Sequence, residues 1–154
     1  MGKVIERDKI EDLVKILKKQ NKKIVATNGC FDILHVGHVR YLKKSKAFGD
    51  VLIVGLNSDV SVKKLKGEGR PINPENDRAE VLCALEAVDY VVLFDETSPR
   101  DLLDIIKPNV YTKGADYTLK TLPEADVILN NGGWVEFIDF VEGKSTTKII
   151  DKIK

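Results

Sequence analysis

Residues 28–41 read Asn-Gly-Cys-Phe-Asp-Ile-Leu-His-Val-Gly-His-Val-Arg-Tyr, and they join an apolar, strand-like run at 24–26 to a helix-like pattern from Val39 onward. A strand, a glycine-bearing turn and a new helix N-terminus form a place where nucleotide phosphates bind, because the first N–H groups of a helix are unpaired and carry its positive dipole end. The only two histidines of the chain, His35 and His38, fall there. Their imidazoles can donate hydrogen bonds to phosphoryl oxygens.

Strand-like and helix-like segments alternate along the rest of the chain. Apolar runs predict strands at 24–28, 51–57, 89–93, 110–112 and 134–138, with helical patterns between them. This alternation predicts an α/β fold, a single Rossmann-like domain with a parallel sheet of about five strands and helices on both faces. An amphipathic helix within residues 1–22 is expected to pack on the domain formed by residues 23–154.

Composition excludes several classes of protein. Twenty-five Lys and Arg residues against 24 Asp and Glu give a net charge of +1, which does not suggest a nucleic-acid binder. The sequence has no apolar run long enough to span a membrane, so no membrane partner is expected. Cys30 and Cys83 lie far apart and are interpreted as two reduced thiols of a cytoplasmic protein.

Further polar groups follow the ends of the other predicted strands, where ligands bind in open α/β sheets. The basic side chains after the second strand can neutralise charge on a leaving pyrophosphate, although a solvated helix face is the alternative. These are Lys63, Lys64, Lys66, Arg70 and Arg78. Residues 142–147 suit β- and γ-phosphates as a hydroxyl-rich helix start. They are not a Walker A loop, because Ile138 stands where its first glycine is needed.

The histidine segment also allows a different interpretation. Cys30, Asp32, His35 and His38 have a spacing compatible with a metal site, but no second Cys/His cluster in the sequence completes a ligand set. Two satisfied turn histidines are the other alternative. The GxGxxG dinucleotide fingerprint and the GxSxG nucleophile motif are both missing from the sequence, which argues against NAD chemistry and against a serine hydrolase.

Residues 29–38, which contain an HxGH motif, and residues 145–147 together resemble the two signatures of the cytidylyltransferase-like nucleotidyltransferases. From about residue 8 onward the chain is similar to the D-glycero-β-D-manno-heptose 1-phosphate adenylyltransferase domain of the bifunctional heptose enzyme of lipopolysaccharide precursor synthesis. The matching stretches are residues 27–32, 54–59, 69–74, 77–82, 113–117 and 141–147. The resemblance implies that residues 23–154 form a nucleotidyltransferase domain.

The resemblance further implies transfer of AMP from ATP to the sugar 1-phosphate, with Mg²⁺ held mainly by ATP oxygens. On this basis we predict three catalytic residues, His35, His38 and Lys66, with Lys64 as the alternative lysine. The predicted nucleotide contacts are Gly29, Cys30, Phe31, Lys64, Arg78, Lys113, Gly114, Asp116, Tyr117, Glu142, Ser145, Thr146 and Thr147. The predicted acceptor contacts are Asp32, Asn57 and Arg70.

The family is often fused to a sugar kinase domain, which this sequence lacks, so a separate sugar kinase is expected as a pathway partner. A homodimer is expected only from the family. The alternatives are an FMN adenylyltransferase, a glycerol-3-phosphate cytidylyltransferase and a catalytically silent nucleotide-binding module. Phe140 argues against the cytidylyltransferase. By resemblance, glycerol-3-phosphate cytidylyltransferases have an arginine at this position, three residues before the glycine of the last motif.

Overall fold

A computed structural model describes residues 1–139 and 146–153 of the chain. Over these residues, parallel strands form one six-stranded sheet in the order β1-β4-β3-β2-β5-β6. The strands are β1 Lys3–Val4, β2 Ile24–Gly29, β3 Val51–Asn57, β4 Tyr90–Phe94, β5 Val110–Gly114 and β6 Trp134–Ile138. The α-helices are α1 Ile10–Lys19, α2 Val36–Lys46, α3 Asp59–Lys66, α4 Glu75–Cys83, α5 Arg100–Ile106, α6 Ala125–Asn130 and α7 Thr146–Ile153.

The strand order reverses beside β2. The chain runs outward from β2 to β3 and β4, and then crosses back to place β5 and β6 on the other side of β2. At such a switch point the neighbouring crossover connections leave in opposite directions, which opens a crevice at the carboxyl ends of the strands. The segment that follows β2 and the segment that follows β5 therefore lie at the mouth of this crevice.

Helices cover both faces of the sheet. Apolar side chains of α1, α5 and α6 pack against one face, and those of α2 and α4 pack against the other. All seven residues of β3 are buried, as expected for a central parallel strand covered on both sides. Within the described part of the chain, no helix is long and apolar enough to cross a membrane.

The sheet has one strand more than predicted. The additional strand, β1, consists of two exposed residues, Lys3 and Val4, which pair with Tyr90 and Val91 at the edge of the sheet. Gly2 lies so close to this edge that a Cβ would come within 2.7 Å of the Val88 carbonyl oxygen. Backbone hydrogen bonds form β1, and its sequence has no alternating apolar pattern that would predict a strand. In the same N-terminal segment, α1 buries Ile10, Val14 and Leu17 in the core. The division of the chain into residues 1–22 and a domain of residues 23–154 stays a prediction.

Candidate active site

The start of α2 is held by the two histidines themselves. His35 is the N-cap residue, and its Nδ1 accepts a hydrogen bond from the Gly37 N–H at 3.0 Å. The Nδ1 atom of His38 accepts from the His35 N–H at 3.3 Å. A neutral imidazole carries one proton, so an accepting Nδ1 places that proton on Nε2. Helix capping therefore fixes the tautomer in which both rings are Nε2–H donors.

The two imidazole rings form a compact pair. Their centroids lie 3.9 Å apart with the planes inclined by 29°, and Phe31 contacts His38 edge-on at a centroid distance of 5.3 Å. Phe31 has a left-handed backbone with φ of 45°, an uncommon conformation for a non-glycine residue. A Cβ on Gly29 would approach the Phe31 ring to 2.8 Å, so the glycine makes room for this ring.

His38 is a neutral donor in the free protein. Burial, and after it the neighbouring His35, lower the pKa of His38 from 6.5 to about 4. Near neutral pH, His38 therefore donates its Nε2–H as a neutral imidazole.

This low pKa predicts a pH-dependent stability. The unfolded chain protonates His38 near pH 6.5, whereas the folded chain does so only near pH 4, so the free energy of unfolding should fall as pH falls through this window. At about 1.4 kcal/mol per pKa unit, the His38 contribution to this loss is on the order of 3 kcal/mol at most, and it is zero above pH 6.5. Urea unfolding at about pH 7.5 and about pH 4.5 should show a smaller pH effect in His38→Gln than in the parent. An equal pH effect in both proteins would contradict this pKa assignment.

Asp32 binds a neighbouring loop. Its side chain is fully buried, and its carboxylate accepts hydrogen bonds from the Arg70 Nε–H and from the backbone N–H groups of Ile72 and Asn73, each at 2.9 Å. Burial alone would raise the pKa of Asp32, but these hydrogen bonds outweigh it and bring the pKa below its usual value. The predicted contact of Asp32 with the acceptor stays a prediction, and in the structure its carboxylate positions Arg70.

Arg78 is buried and is not among the residues that line the cavity described below. It is 2% exposed, and its guanidinium donates to the carbonyl oxygens of Asn73, Cys30 and Asn57 and to the Asp59 carboxylate. These bonds occupy the guanidinium within the protein. The predicted nucleotide contact of Arg78 stays a prediction, and in the structure its side chain joins the segments that form the site.

A cavity of about 740 Å³ opens at the switch point. A volume of this size accommodates a nucleotide. The predicted residues that line it are Gly29, Cys30, Phe31, Asp32, His35, His38, Asn57, Lys66, Arg70, Lys113, Gly114, Asp116, Tyr117, Thr146 and Thr147. Lys64 is exposed and lies away from this lining, so Lys66 is the lysine that the structure brings to the cavity. Glu142 and Ser145 lie outside the described residues.

The beginning of α7 is attached to the histidine segment. The Thr146 hydroxyl donates to the Ile33 carbonyl oxygen at 2.8 Å, which brings α7 against the loop before α2. Since this bond uses the Thr146 hydroxyl proton, the exposed Thr147 hydroxyl is the better placed of the two to donate to a phosphate.

Several lining residues were not predicted from the sequence. They are Asn28, Gly37, Arg40, Tyr41, Lys44, Leu65, Thr97, Ser98, Pro99, Pro123, Glu124 and Asp139. Arg40 and Lys44 carry a signal that could have found them, because they lie one turn apart on the helix that begins at the histidines. With Lys66, Arg70 and Lys113 they give the cavity five cationic side chains, which can contact a polyphosphate, although four carboxylates line it too.

The metal-site alternative has little support in the donor atoms. Among residues 1–139 and 146–153, no three His, Cys, Asp or Glu side chains converge as metal ligands. The Asp32 carboxylate is held by N–H donors, and both histidine Nδ1 atoms accept backbone N–H groups. Burial raises the pKa of the Cys30 thiol, against the effect of nearby cations such as Lys66, which does not favour a thiolate ligand.

A parallel α/β sheet with paired imidazole donors and basic side chains at its switch point defines a nucleotidyltransferase. The profile of the cytidylyltransferase-like family matches residues 26–152. The chain belongs to this family.

Similar proteins agree with this classification. The bifunctional protein HldE of Campylobacter jejuni subsp. jejuni serotype O:2 is 58% identical over 144 residues, which are 94% of this chain and 30% of that protein. HldE of Geobacter metallireducens is 53% identical over 152 residues, 99% of this chain and 31% of that protein. The chain thus spans less than a third of the length of these relatives.

Solved structures show the same architecture. The crystal structure of the lipopolysaccharide core biosynthesis protein from Thermoplasma volcanium GSS1 has a TM-score of 0.63 and 32% identity, covering 80% of this chain and 99% of that one. A pantoate-beta-alanine ligase from Francisella tularensis has a TM-score of 0.69 at 17% identity, covering 99% of this chain and 78% of that one, and this likeness concerns the fold alone.

Proposed function

We propose that this chain transfers the adenylyl group of ATP to D-glycero-β-D-manno-heptose 1-phosphate, producing ADP-heptose and pyrophosphate. The observation that carries the adenylyl-transfer half is the pair of Nε2–H donors at the start of α2, beside a cavity lined by basic side chains. Support for the sugar comes from similarity, since the HldE relatives match 94–99% of this chain.

The proposed reaction is a direct displacement. An oxygen of the sugar 1-phosphate attacks the α-phosphorus of ATP while the bond from that phosphorus to the β-phosphate bridging oxygen breaks, and the electron pair leaves with pyrophosphate. The attacking phosphate is already anionic at neutral pH, so no side chain needs to remove a proton. His35 and His38 donate to the phosphoryl oxygens as their charge grows, and Lys66 neutralises charge on the triphosphate.

We propose that the reaction needs a divalent cation, Mg²⁺, which binds together with ATP. In the part of the chain that the structure describes, the donor set lacks a protein cage for a metal ion. The site therefore suits an ion that is coordinated mainly by the phosphate oxygens of ATP and by water, which are ligands that Mg²⁺ prefers. When bound, it would neutralise part of the triphosphate charge.

The proposal extends to the surroundings of the enzyme. A sugar 1-phosphate acceptor requires a kinase that phosphorylates the anomeric hydroxyl, so we infer that a sugar kinase supplies the substrate. A cytoplasmic location fits both the use of ATP and the two free cysteines.

Pyrophosphate release tests the proposal. ATP, CTP, GTP and UTP are crossed against the heptose 1-phosphate, glycerol 3-phosphate and FMN. We expect turnover with ATP and heptose 1-phosphate. Turnover restricted to CTP and glycerol 3-phosphate, or to ATP and FMN, would replace the proposed substrates, and ATP binding without release for any acceptor would indicate a silent module.

The two lysines of α3 provide a matched pair of variants. Lys66→Met should raise the KM for ATP about tenfold, because the ammonium group that lines the cavity is lost. Lys64→Met removes the same group from the neighbouring exposed surface and should change the KM for ATP by less than about twofold. Steady-state kinetics of pyrophosphate release measure both. Equal effects of the two substitutions would contradict the assignment of Lys66.

A further inference from the structure

Three side chains, from β2, from β5 and from the residue before α6, form a polar cluster that the reaction described above does not use. The Tyr111 hydroxyl donates to Glu124 Oε2 at 2.9 Å and also contacts the amide oxygen of Asn28. Tyr111 is fully buried and Glu124 is 4% exposed. Asn28 and Glu124 line the cavity, so the cluster combines burial with access to the site.

Burying a carboxylate costs folding free energy unless the group is paired with a cation or hydrogen-bonded. Glu124 is paired through Oε2, which accepts from Tyr111 and lies 3.9 Å from the Lys113 ammonium. Within the described part of the chain, Glu124 Oε1 has no hydrogen-bond partner. Burial and the adjacent Glu124 charge raise the pKa of Tyr111 well above its usual value, so the hydroxyl stays protonated and keeps holding the carboxylate. The cluster thus presents a carboxylate oxygen and an amide to the cavity, the groups that bind hydroxyls best.

The cluster lies across the sheet edge from the histidines. Successive side chains of a strand point to opposite faces, and Thr27 and Thr112 contact Tyr41 and Ser45 of α2. Asn28 and Tyr111, the alternate residues, therefore point to the other face, where Glu124 precedes α6. An in-line displacement brings the acceptor from the side opposite the leaving pyrophosphate. If pyrophosphate leaves from the start of α2, the acceptor enters over Asn28 and Glu124.

We propose that Glu124 and Asn28, held by Tyr111, form the subsite that binds the hydroxyl groups of the acceptor sugar. This inference rests on the proposed function, because the proposed in-line reaction determines the side from which the acceptor enters. It adds a second carboxylate to the predicted acceptor site, besides Asp32, and it makes Glu124 a specificity residue for a polyhydroxylated acceptor.

Calorimetric titration of Glu124→Gln tests this subsite. Its three ligands are the heptose 1-phosphate, inorganic phosphate and a non-hydrolysable ATP analogue. The substitution should weaken heptose 1-phosphate binding about tenfold or more, because the charged acceptor is lost, with the other two affinities within about twofold of the parent. Asp126→Asn makes the same chemical change two residues along the chain, where the carboxylate is exposed and paired with Arg100. It should leave all three affinities unchanged.

The outcomes separate the subsite from the proposed function. Unchanged heptose 1-phosphate binding in Glu124→Gln, or weakened binding of the ATP analogue alone, would overturn the subsite. If Glu124→Gln fails to fold, Tyr111→Phe keeps the buried ring and should still weaken sugar binding about threefold by releasing Glu124, and unchanged binding there would equally overturn it. A parent protein that binds the sugar phosphate but releases no pyrophosphate contradicts the proposed function and leaves the subsite standing. A parent that binds no sugar phosphate overturns both.

Discussion

Replacing His38 by alanine is expected to lower the turnover number about a hundredfold or more, the scale of losing one preorganised donor to a developing charge. His38 is held in place before substrate arrives, because its Nδ1 atom accepts the His35 N–H and its ring stacks on His35. The Nε2–H donor therefore needs no reorganisation during the reaction. Pyrophosphate release under saturating ATP and heptose 1-phosphate measures the effect.

Two further substitutions separate catalysis from helix capping. His38→Asn keeps an acceptor near the Nδ1 position but has no donor where Nε2 stood, so it should lose about as much activity as His38→Ala. His38→Gln places an amide N–H near the Nε2 position and should recover about tenfold of the loss. If His38→Asn instead restored full activity, the ring would matter only for capping. Activity of His38→Ala within about threefold of the parent would remove His38 from the chemistry.

The fold was largely predictable because the buried strands carry their own signal. The apolar run of β3 has seven buried residues, and its length and flanking polar residues mark it without any tertiary information. The edge strand β1 has no such signal, since its two residues are exposed and its pairing depends on backbone groups of Tyr90 and Val91. The N-cap of α3, Ser58, is set by a local hydrogen bond in which its side chain accepts from the Ser61 N–H.

The site was predictable where the motif is local and unpredictable where the topology brings distant residues together. His35 and His38 are three residues apart, and their shared helix start follows from the sequence. Glu124 and Asn28 meet through Tyr111, which is 83 residues from Asn28, so only the return of the chain to the far side of β2 places them together. Sequence alone also cannot tell a cation that faces a cavity from one that is enclosed by carbonyl oxygens, as Arg78 is in the structure.

Arg78→Met should lower the free energy of unfolding by about 3 kcal/mol, because the acceptors lose hydrogen bonds from a charged donor. Methionine has a similar length but no donors. Three carbonyl acceptors, on Asn73, Cys30 and Asn57, would lose their hydrogen bonds, and the Asp59 carboxylate would lose its counter-ion. Urea denaturation near neutral pH measures the change.

The surface pair Arg100–Asp126 supplies the control for Arg78→Met, because Arg100 is also paired with a carboxylate, through two hydrogen bonds, but is 42% exposed. Arg100→Met should therefore cost no more than about 1 kcal/mol. Arg78→Lys retains the charge but cannot reach four acceptors in different directions, so it should recover only part of the lost stability. Since Arg78 joins the segment after β2 to the end of β3, Arg78→Lys should also raise the KM for ATP while the protein stays folded. A loss for Arg78→Met as small as that for Arg100→Met would show that the guanidinium is not needed to hold these segments together.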